Sequence, residues 1–108
     1  TVHDNYKQAV LKADISDTAF VGRGGHPIRQ LMNAFAARYL AAERTNTSEE
    51  LKTLFDSANL KQAALDGDVE NGKVEAGQSA GLIDEILPAA EVMRRLVLEM
   101  NEARKRLA

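Results

Sequence analysis

Gly22-Arg23-Gly24-Gly25-His26-Pro27-Ile28-Arg29-Gln30-Leu31-Met32-Asn33-Ala34-Phe35 is the stretch on which the reading of the fold turns. Its three glycines mark a flexible loop. Pro27 suits the first position of a helix, where a backbone N–H has no intrahelical partner to lose. Behind it, Ile28, Leu31, Met32, Phe35 and Tyr39 fall at helical spacing. The pattern predicts an amphipathic helix from Pro27 to about Glu43.

Outward from there the same signals repeat. On the N-terminal side, Asp4 reads as the cap of a short helix through about Ala13, with Tyr6 and Val10 four apart on one face. Asp14 to Asp17 reads as a turn, and Thr18-Ala19-Phe20-Val21 has strand-like residue types but little length. On the C-terminal side, Thr47-Ser48-Glu49-Glu50 has capping-box spacing ahead of Leu51, Leu54, Phe55 and Ala58. Asn59 recaps a short continuation, Leu60 to Leu65, which Gly67 ends. Pro88 opens the last helix, whose apolar stripe is Val92, Leu96, Met100, Ala103 and Leu107. Glu91 with Arg95 and Glu102 with Arg106 are i,i+4 pairs in the favourable order. The expected chain is mainly α, with four to five helices and two Gly-rich loops, 22–25 and 67–81.

Composition narrows the function classes. The 108 residues suit one small domain. A net formal charge of −2 gives no basic excess for nucleic acid. Cysteine is absent, which removes disulfides, thiolate metal sites and cysteine nucleophiles, and is compatible with the cytoplasm. No apolar run approaches the roughly 20 residues that span a bilayer. The chain opens at Thr1 without an initiator Met, as expected of a trimmed product and equally of routine Met removal before Thr.

Several constellations fail on spacing. The Gly22–Gly25 loop lacks the third glycine of a dinucleotide fingerprint, since Pro27 stands there, and no Gly-Lys-Ser/Thr follows. Its plainer reading is a connection before a helix, although backbone amides with Arg23 and Arg29 nearby offer an anion site. Asp66, Asp68 and Glu70 alternate like a calcium loop, but the required glycine comes one place late, at Gly72, and Gly77 stands where the closing Glu belongs. His3 and His26 show no metal-ligand spacing, so no metal is expected. Ser79 sits in a Gly-x-Ser-x-Gly frame, but no His follows it to complete a triad. In Gly77-Gln78-Ser79-Ala80-Gly81, small residues flank one amide side chain. Backbone there can approach a flat ligand closely, while Gln78 both donates and accepts. The competing reading is a tight turn into a short helix, Ser79 to Ile86.

Two stretches carry a resemblance. Leu65-Asp66-Gly67-Asp68-Val69-Glu70-Asn71-Gly72 runs through Ala76-Gly77-Gln78-Ser79-Ala80-Gly81-Leu82-Ile83-Asp84-Glu85-Ile86. Val2-His3-Asp4-Asn5-Tyr6-Lys7 comes first in the chain, followed by Asp17-Thr18 and Gly25-His26-Pro27-Ile28-Arg29. Both resemble, in order, the C-terminal third of the FMN-dependent enoyl-ACP reductase II and nitronate monooxygenase (2-nitropropane dioxygenase) family.

The resemblance implies a (β/α)8 TIM-barrel flavoenzyme, with FMN at the C-terminal mouth of the strands and NAD(P)H as reductant. The resemblance favours the reductase branch of fatty acid synthesis, through Gly67-Asp68-Val69-Glu70-Asn71-Gly72 and His26-Pro27-Ile28-Arg29; there the flavin passes hydride to the enoyl thioester of an acyl substrate on acyl carrier protein. The alternative is the monooxygenase branch, in which a small nitronate is oxidised with oxygen. Residues 1–108 are then one post-barrel helical segment, with a flavin-proximal loop at about 66–86 and a C-terminal helix at about 88–107. FMN is held mainly by residues outside this chain, with Ala76, Gly77, Gln78 and Ser79 as cofactor neighbours. No catalytic residue is expected, because neither His3 nor His26 matches the family's catalytic histidine. The implied partner is the barrel portion of the same enzyme. A homodimer is left open, a membrane or nucleic acid is not expected, and the chain alone is expected to be inactive. The reading from another class is a freestanding helical interaction module without a cofactor.

Overall fold

The computed structural model describes residues 1–108. Five α-helices and one β-hairpin make up the chain: α1 (Asp4–Lys12), β1 (Thr18–Val21), β2 (Ile28–Leu31), α2 (Ala34–Ala42), α3 (Ser48–Asp56), α4 (Leu60–Ala64) and α5 (Ala89–Leu107). A 3-10 turn, Gln78–Leu82, lies between α4 and α5. The mainly helical expectation holds.

The stretch from Pro27 departs from it. Ile28–Leu31 is a strand, paired antiparallel with β1 from Thr18↔Leu31 to Val21↔Ile28. Gly22 and Gly24, at φ 83° and 85°, turn the chain between the strands in a conformation that costs glycine least. The helix starts only at Ala34, where the Asn33 side chain accepts from the Ala36 amide at 2.9 Å. A helical period therefore ran by coincidence through half a strand and half a helix. What stabilises β2 is not local. The segment 73–76 lies along its other edge, with Leu31 N–H donating to Val74 O at 2.9 Å and Ala76 N–H to Arg29 O at 3.2 Å. β2 thus has partners on both sides.

Other ends follow the residue chemistry more closely. Thr47 Oγ1 accepts from the Glu50 amide at 3.2 Å and Asn59 Oδ1 from the Gln62 amide at 2.8 Å, so both predicted caps form. Gly67 adopts φ 78° just after α4, as a helix-ending glycine should. At α1 the cap is His3 rather than Asp4: its Nδ1 accepts from the Asn5 amide at 3.0 Å, which leaves Asp4 as the acidic residue of the first turn. The His3 amide also donates to Ala64 O at 2.6 Å, and Asn5 Nδ2 to Gly67 O at 3.0 Å, joining α1 to the end of α4.

Two small cores sit on the hairpin. One gathers Val21, Phe35, Ala36, Tyr39 and Ala58, with Ile28, Leu51, Leu54 and Phe55 packed around it. The other gathers Leu31, Ala63, Val74 and Ala80 against α1 through Tyr6, Ala9, Val10 and Ala13. Successive strand side chains point to opposite faces. The cross-strand pair Val21 and Ile28 therefore serves the first core, while Leu31, at the other end of β2, serves the second.

Helix α5 stands apart. None of its residues is buried, and Leu96, Met100 and Leu107 are 56%, 52% and 88% exposed. No helix is long and apolar enough to cross a membrane. Its first turn is held by charge. Glu91 accepts from Arg94 at 2.7 and 3.0 Å and from Arg95 at 3.0 Å, and Arg95 also reaches Glu85 at 2.6 Å. The expected Glu102–Arg106 pair does not form.

The two guanidinium groups hold the Glu91 carboxyl down to about 2 from an ordinary 4.5. A carboxyl whose pKa is lower folded than unfolded stabilises at pH above the unfolded value and loses that contribution as pH falls through the folded one. The first turn of α5 is therefore expected to loosen between about pH 4.5 and pH 2. Titration of the Glu91 carboxyl carbon by NMR checks this, and a midpoint at 4.5 or above contradicts it.

Candidate functional site

The acidic, glycine-rich stretch after α4 folds back on itself rather than around an ion. Asp68 Oδ1 accepts from the Asn71 amide at 3.0 Å, and Oδ2 from Gln62 Nε2 at 2.9 Å. The hydrogen bonds from Gln62 and Asn71 pull the Asp68 carboxyl below the ordinary range. No group of His, Cys, Asp or Glu side chains is arranged to hold a metal. Gly72 is required by close approach: a Cβ there would lie 2.7 Å from both Ala63 N and Asp68 O.

Asn33 ties this loop to the hairpin. Its Nδ2 donates to Val69 O at 2.9 Å and Gly72 O at 2.8 Å, while Oδ1 accepts from Gln30 Nε2 at 3.1 Å as well as from the Ala36 amide. The Phe35 amide adds a bond to Glu70 O at 3.0 Å. One amide side chain thus caps α2, anchors the 69–72 turn and engages β2.

Beyond Gly72 the chain straightens. The Lys73 amide donates to Asn59 O at 3.0 Å, Glu75 pairs with Gln30 as an antiparallel bridge, and Tyr6 Oη donates to Glu75 O. This track delivers the four residues singled out from the sequence. Ala76 is half-buried, with its amide used by β2, whereas Gly77, Gln78 and Ser79 are exposed. Gly77 enters the 3-10 turn in an extended conformation, φ −80° and ψ 173°, with no side-chain cap. The Ala80 amide closes the turn onto Gly77 O at 3.0 Å, and Ala80 is buried in the second core. Gly81 packs directly on the backbone of Asp14 and Ile15, leaving no room for a Cβ. The expected helix from Ser79 to Ile86 is therefore only this turn, pinned at Ala80 and Gly81 to the end of α1.

The result is a fixed base under an open tip. A Cβ at Gly77 would meet nothing nearer than Ser79 Oγ at 4.0 Å, so the peptide is free to be approached. The Gln78 amide makes no hydrogen bond within the chain. Donor and acceptor are both available to a ligand or a neighbouring segment.

The remaining sequence candidates lie elsewhere. His3 is a helix cap. His26 and Arg23 are exposed at the hairpin tip. Arg29 is committed to Thr18 Oγ1 at 2.8 Å and lies over the Phe20 ring at 4.0 Å. A cleft of about 530 Å³ opens between α1 and the 69–74 segment, lined by Lys12, Asp17, Met32 and Glu70 among others, but it does not include Gly77, Gln78 or Ser79.

One cation is placed where no local sequence pattern points. Lys73 is only 7% exposed, and its Nζ lies 3.3 Å from the Phe55 ring centroid and 5.9 Å from that of Phe35. Burial pulls its ammonium below the usual range, against the opposing pull of Asp56 and Glu75. Nothing in Asn71-Gly72-Lys73-Val74 marks that position as buried; the two rings reach it only through tertiary packing.

Residues 1–99 match the family model of nitronate monooxygenase. The chain belongs to the nitronate monooxygenase family. Among solved structures it is similar to FabK from Thermotoga maritima, with a TM-score of 0.87 and 36% identity over 99% of this chain and 34% of that one. A point mutant of the same protein gives 0.75 and 34% identity, over 98% of this chain and 31% of that one. The chain thus spans about a third of the length of the solved structures it matches. No curated protein matches it. Because the likeness to FabK covers nearly all residues, the hairpin, the Asn33-anchored turn and α5 all fall inside the part shared with this family member.

Proposed function

We propose that this chain is the post-barrel helical segment, residues 1–108, of an FMN-dependent NAD(P)H oxidoreductase, an enoyl-ACP reductase II of fatty acid synthesis. The observation that carries this reading is the 36% identity and 0.87 TM-score to FabK, an enoyl-ACP reductase II, over 99% of the chain. The nitronate monooxygenase family model supports the sister reading, in which the same flavin acts on a small nitronate. In either case the barrel portion is the direct partner and the location is the cytoplasm.

The residues present fit a flavin. A planar, polar ring system needs close backbone approach and a group that can both donate and accept, and Gly77 and Gln78 offer both on a tip with no steric cover. When bound, FMN supplies the hydride chemistry. This chain supplies placement. Ala76, fixed to Arg29 O, and Ala80, fixed in the second core, hold the ends of the loop. Gln78 and Ser79, with Ala76 and Gly77, would border the cofactor, and the exposed apolar stripe of α5 would pack against the barrel. The chain itself holds no catalytic residue.

In the complete enzyme, Gln78→Ala is expected to weaken FMN binding about tenfold, the scale of one lost hydrogen bond at a desolvated site. Flavin fluorescence titration measures this, and unchanged affinity together with an unchanged turnover rate counts against the assignment. NAD(P)H oxidation on addition of an enoyl thioester supports the reductase, whereas oxygen uptake with an alkyl nitronate in the absence of NAD(P)H supports the monooxygenase.

A further inference from the structure

We propose that Lys73 is a positioning residue: its ammonium, set on the Phe55 ring, locks the extended 73–76 segment and through it the Gly77–Ser79 loop. The proposal rests on the flavin-facing reading of that loop. Lys73 is only 7% exposed, and it forms no ion pair within 4.0 Å and no side-chain hydrogen bond, so its ammonium, which still reaches water, has lost much of its hydration. The protein group it meets is the Phe55 face at 3.3 Å, with Phe35 beyond at 5.9 Å.

The placement gives the contact a purpose. Phe55 belongs to α3 and Phe35 to α2, both in the first core, whereas Val74, next to Lys73, and Ala80 belong to the second. Lys73 is therefore where the segment leading to the loop is fastened across to the first core. Asn59 O holds its amide, β2 holds Val74 and Ala76, and Tyr6 holds Glu75. Of these ties only the Lys73 side chain depends on charge. The carboxylates facing it are Asp56, at the end of α3, and Glu75, in the same segment. Asp56 is already engaged by Lys52 at 2.7 Å. An apolar side chain of similar length fills the volume but cannot bind the ring face as a cation does; arginine can.

The test uses the complete flavoenzyme. Lys73→Met is expected to raise the FMN dissociation constant about tenfold, equivalent to about 1.4 kcal/mol. It is also expected to speed amide exchange at Ala76 in the flavin-free protein. Lys73→Arg is expected to restore both. In the parent enzyme FMN affinity is expected to fall as pH rises and the ammonium loses its proton, and Lys73→Met is expected to flatten that profile. Phe55→Leu, which keeps the lysine and removes the ring, should reproduce the Met variant, and it decides the matter should Lys73→Met not fold.

Wild-type affinity and exchange in the Met and Leu variants overturn the proposal. So does an Arg variant as impaired as the Met variant, since volume rather than charge would then be the cause. A Gln78→Ala variant that weakens FMN while Lys73→Met does not defeats only the role of Lys73. Insensitivity of FMN affinity to both substitutions defeats the flavin-facing reading itself.

Discussion

Phe35→Ala is expected to cost about 3–5 kcal/mol, the usual range for emptying a fully buried aromatic site. Phe35 is 0% exposed at the centre of the first core, with its ring 6.3 Å from that of Tyr39. It is also the ring behind Phe55 on the Lys73 side. Its neighbours come from different places: Val21 from β1, Ala58 from the connection between α3 and α4, and Ala36 and Tyr39 from α2 itself. A hole at Phe35 cannot close by shifting one helix, because the hairpin and α3 are each fixed elsewhere. Hydrogen exchange of the α2 amides reads the loss directly. A change below about 1 kcal/mol would mean that this core is too loosely packed to define the hairpin–helix junction.

The second large effect is expected at Asn33. Asn33→Ala removes two bonds to the carbonyls of Val69 and Gly72, the cap on the Ala36 amide, and the acceptor for Gln30 Nε2. A lost cap costs about 1 kcal/mol, and each buried group left without a partner adds about 1 or more. The sum is about 2–4 kcal/mol, because the site is only partly shielded from water. The consequence should also be directional. The 69–72 turn should exchange faster and the Ala76–Ser79 loop should lose order, while α3, capped independently by Thr47, should not change. Asn33→Asp keeps the cap but cannot donate to the two carbonyls, so it is expected to spare α2 and free the turn. Equal exchange in α2 and in the 69–72 turn for both variants would contradict this division of labour.

These two residues also show what was legible in the sequence. Local chemistry was legible. Thr47 and Asn59 cap helices because a side-chain oxygen reaches an amide three residues on, and Gly67 ends α4 because glycine takes a positive φ cheaply. The strand Ile28–Leu31 was not. Its apolar residues sit at spacings that also suit a helix, and four residues are too few to show alternation against that background. What makes it a strand is β1 on one side and segment 73–76, more than forty positions away, on the other. One local signal stood against the helix: Asn33, a good cap, immediately before an alanine-rich run.

The candidate site divides in the same way. The glycines and the lone amide at 77–81 announced a loop open to a flat ligand, and the proposal that this ligand is a flavin comes from the family resemblance alone. The supports beneath the loop were hidden. Gly81 is confined by the backbone of Asp14 and Ile15, Ala80 is buried against α1, and Lys73 lies on Phe55. Each is a contact between elements far apart in sequence, and no window of residues displays it.

The α5 helix bears on the central claim. A 19-residue helix with no buried residue and a stripe of exposed Val, Leu and Met gains little from the rest of the chain. An exposed apolar surface of this extent marks an interaction face or a tendency to associate. The measurement that tests the account most directly mixes this chain with the barrel portion of the enzyme, removes free ligand by desalting, and records flavin absorbance. The account predicts that the assembled pair retains flavin and that neither part alone does so as well. An assembled pair that retains no flavin, with this chain alone forming a stable helical monomer, would contradict it and favour a freestanding interaction module.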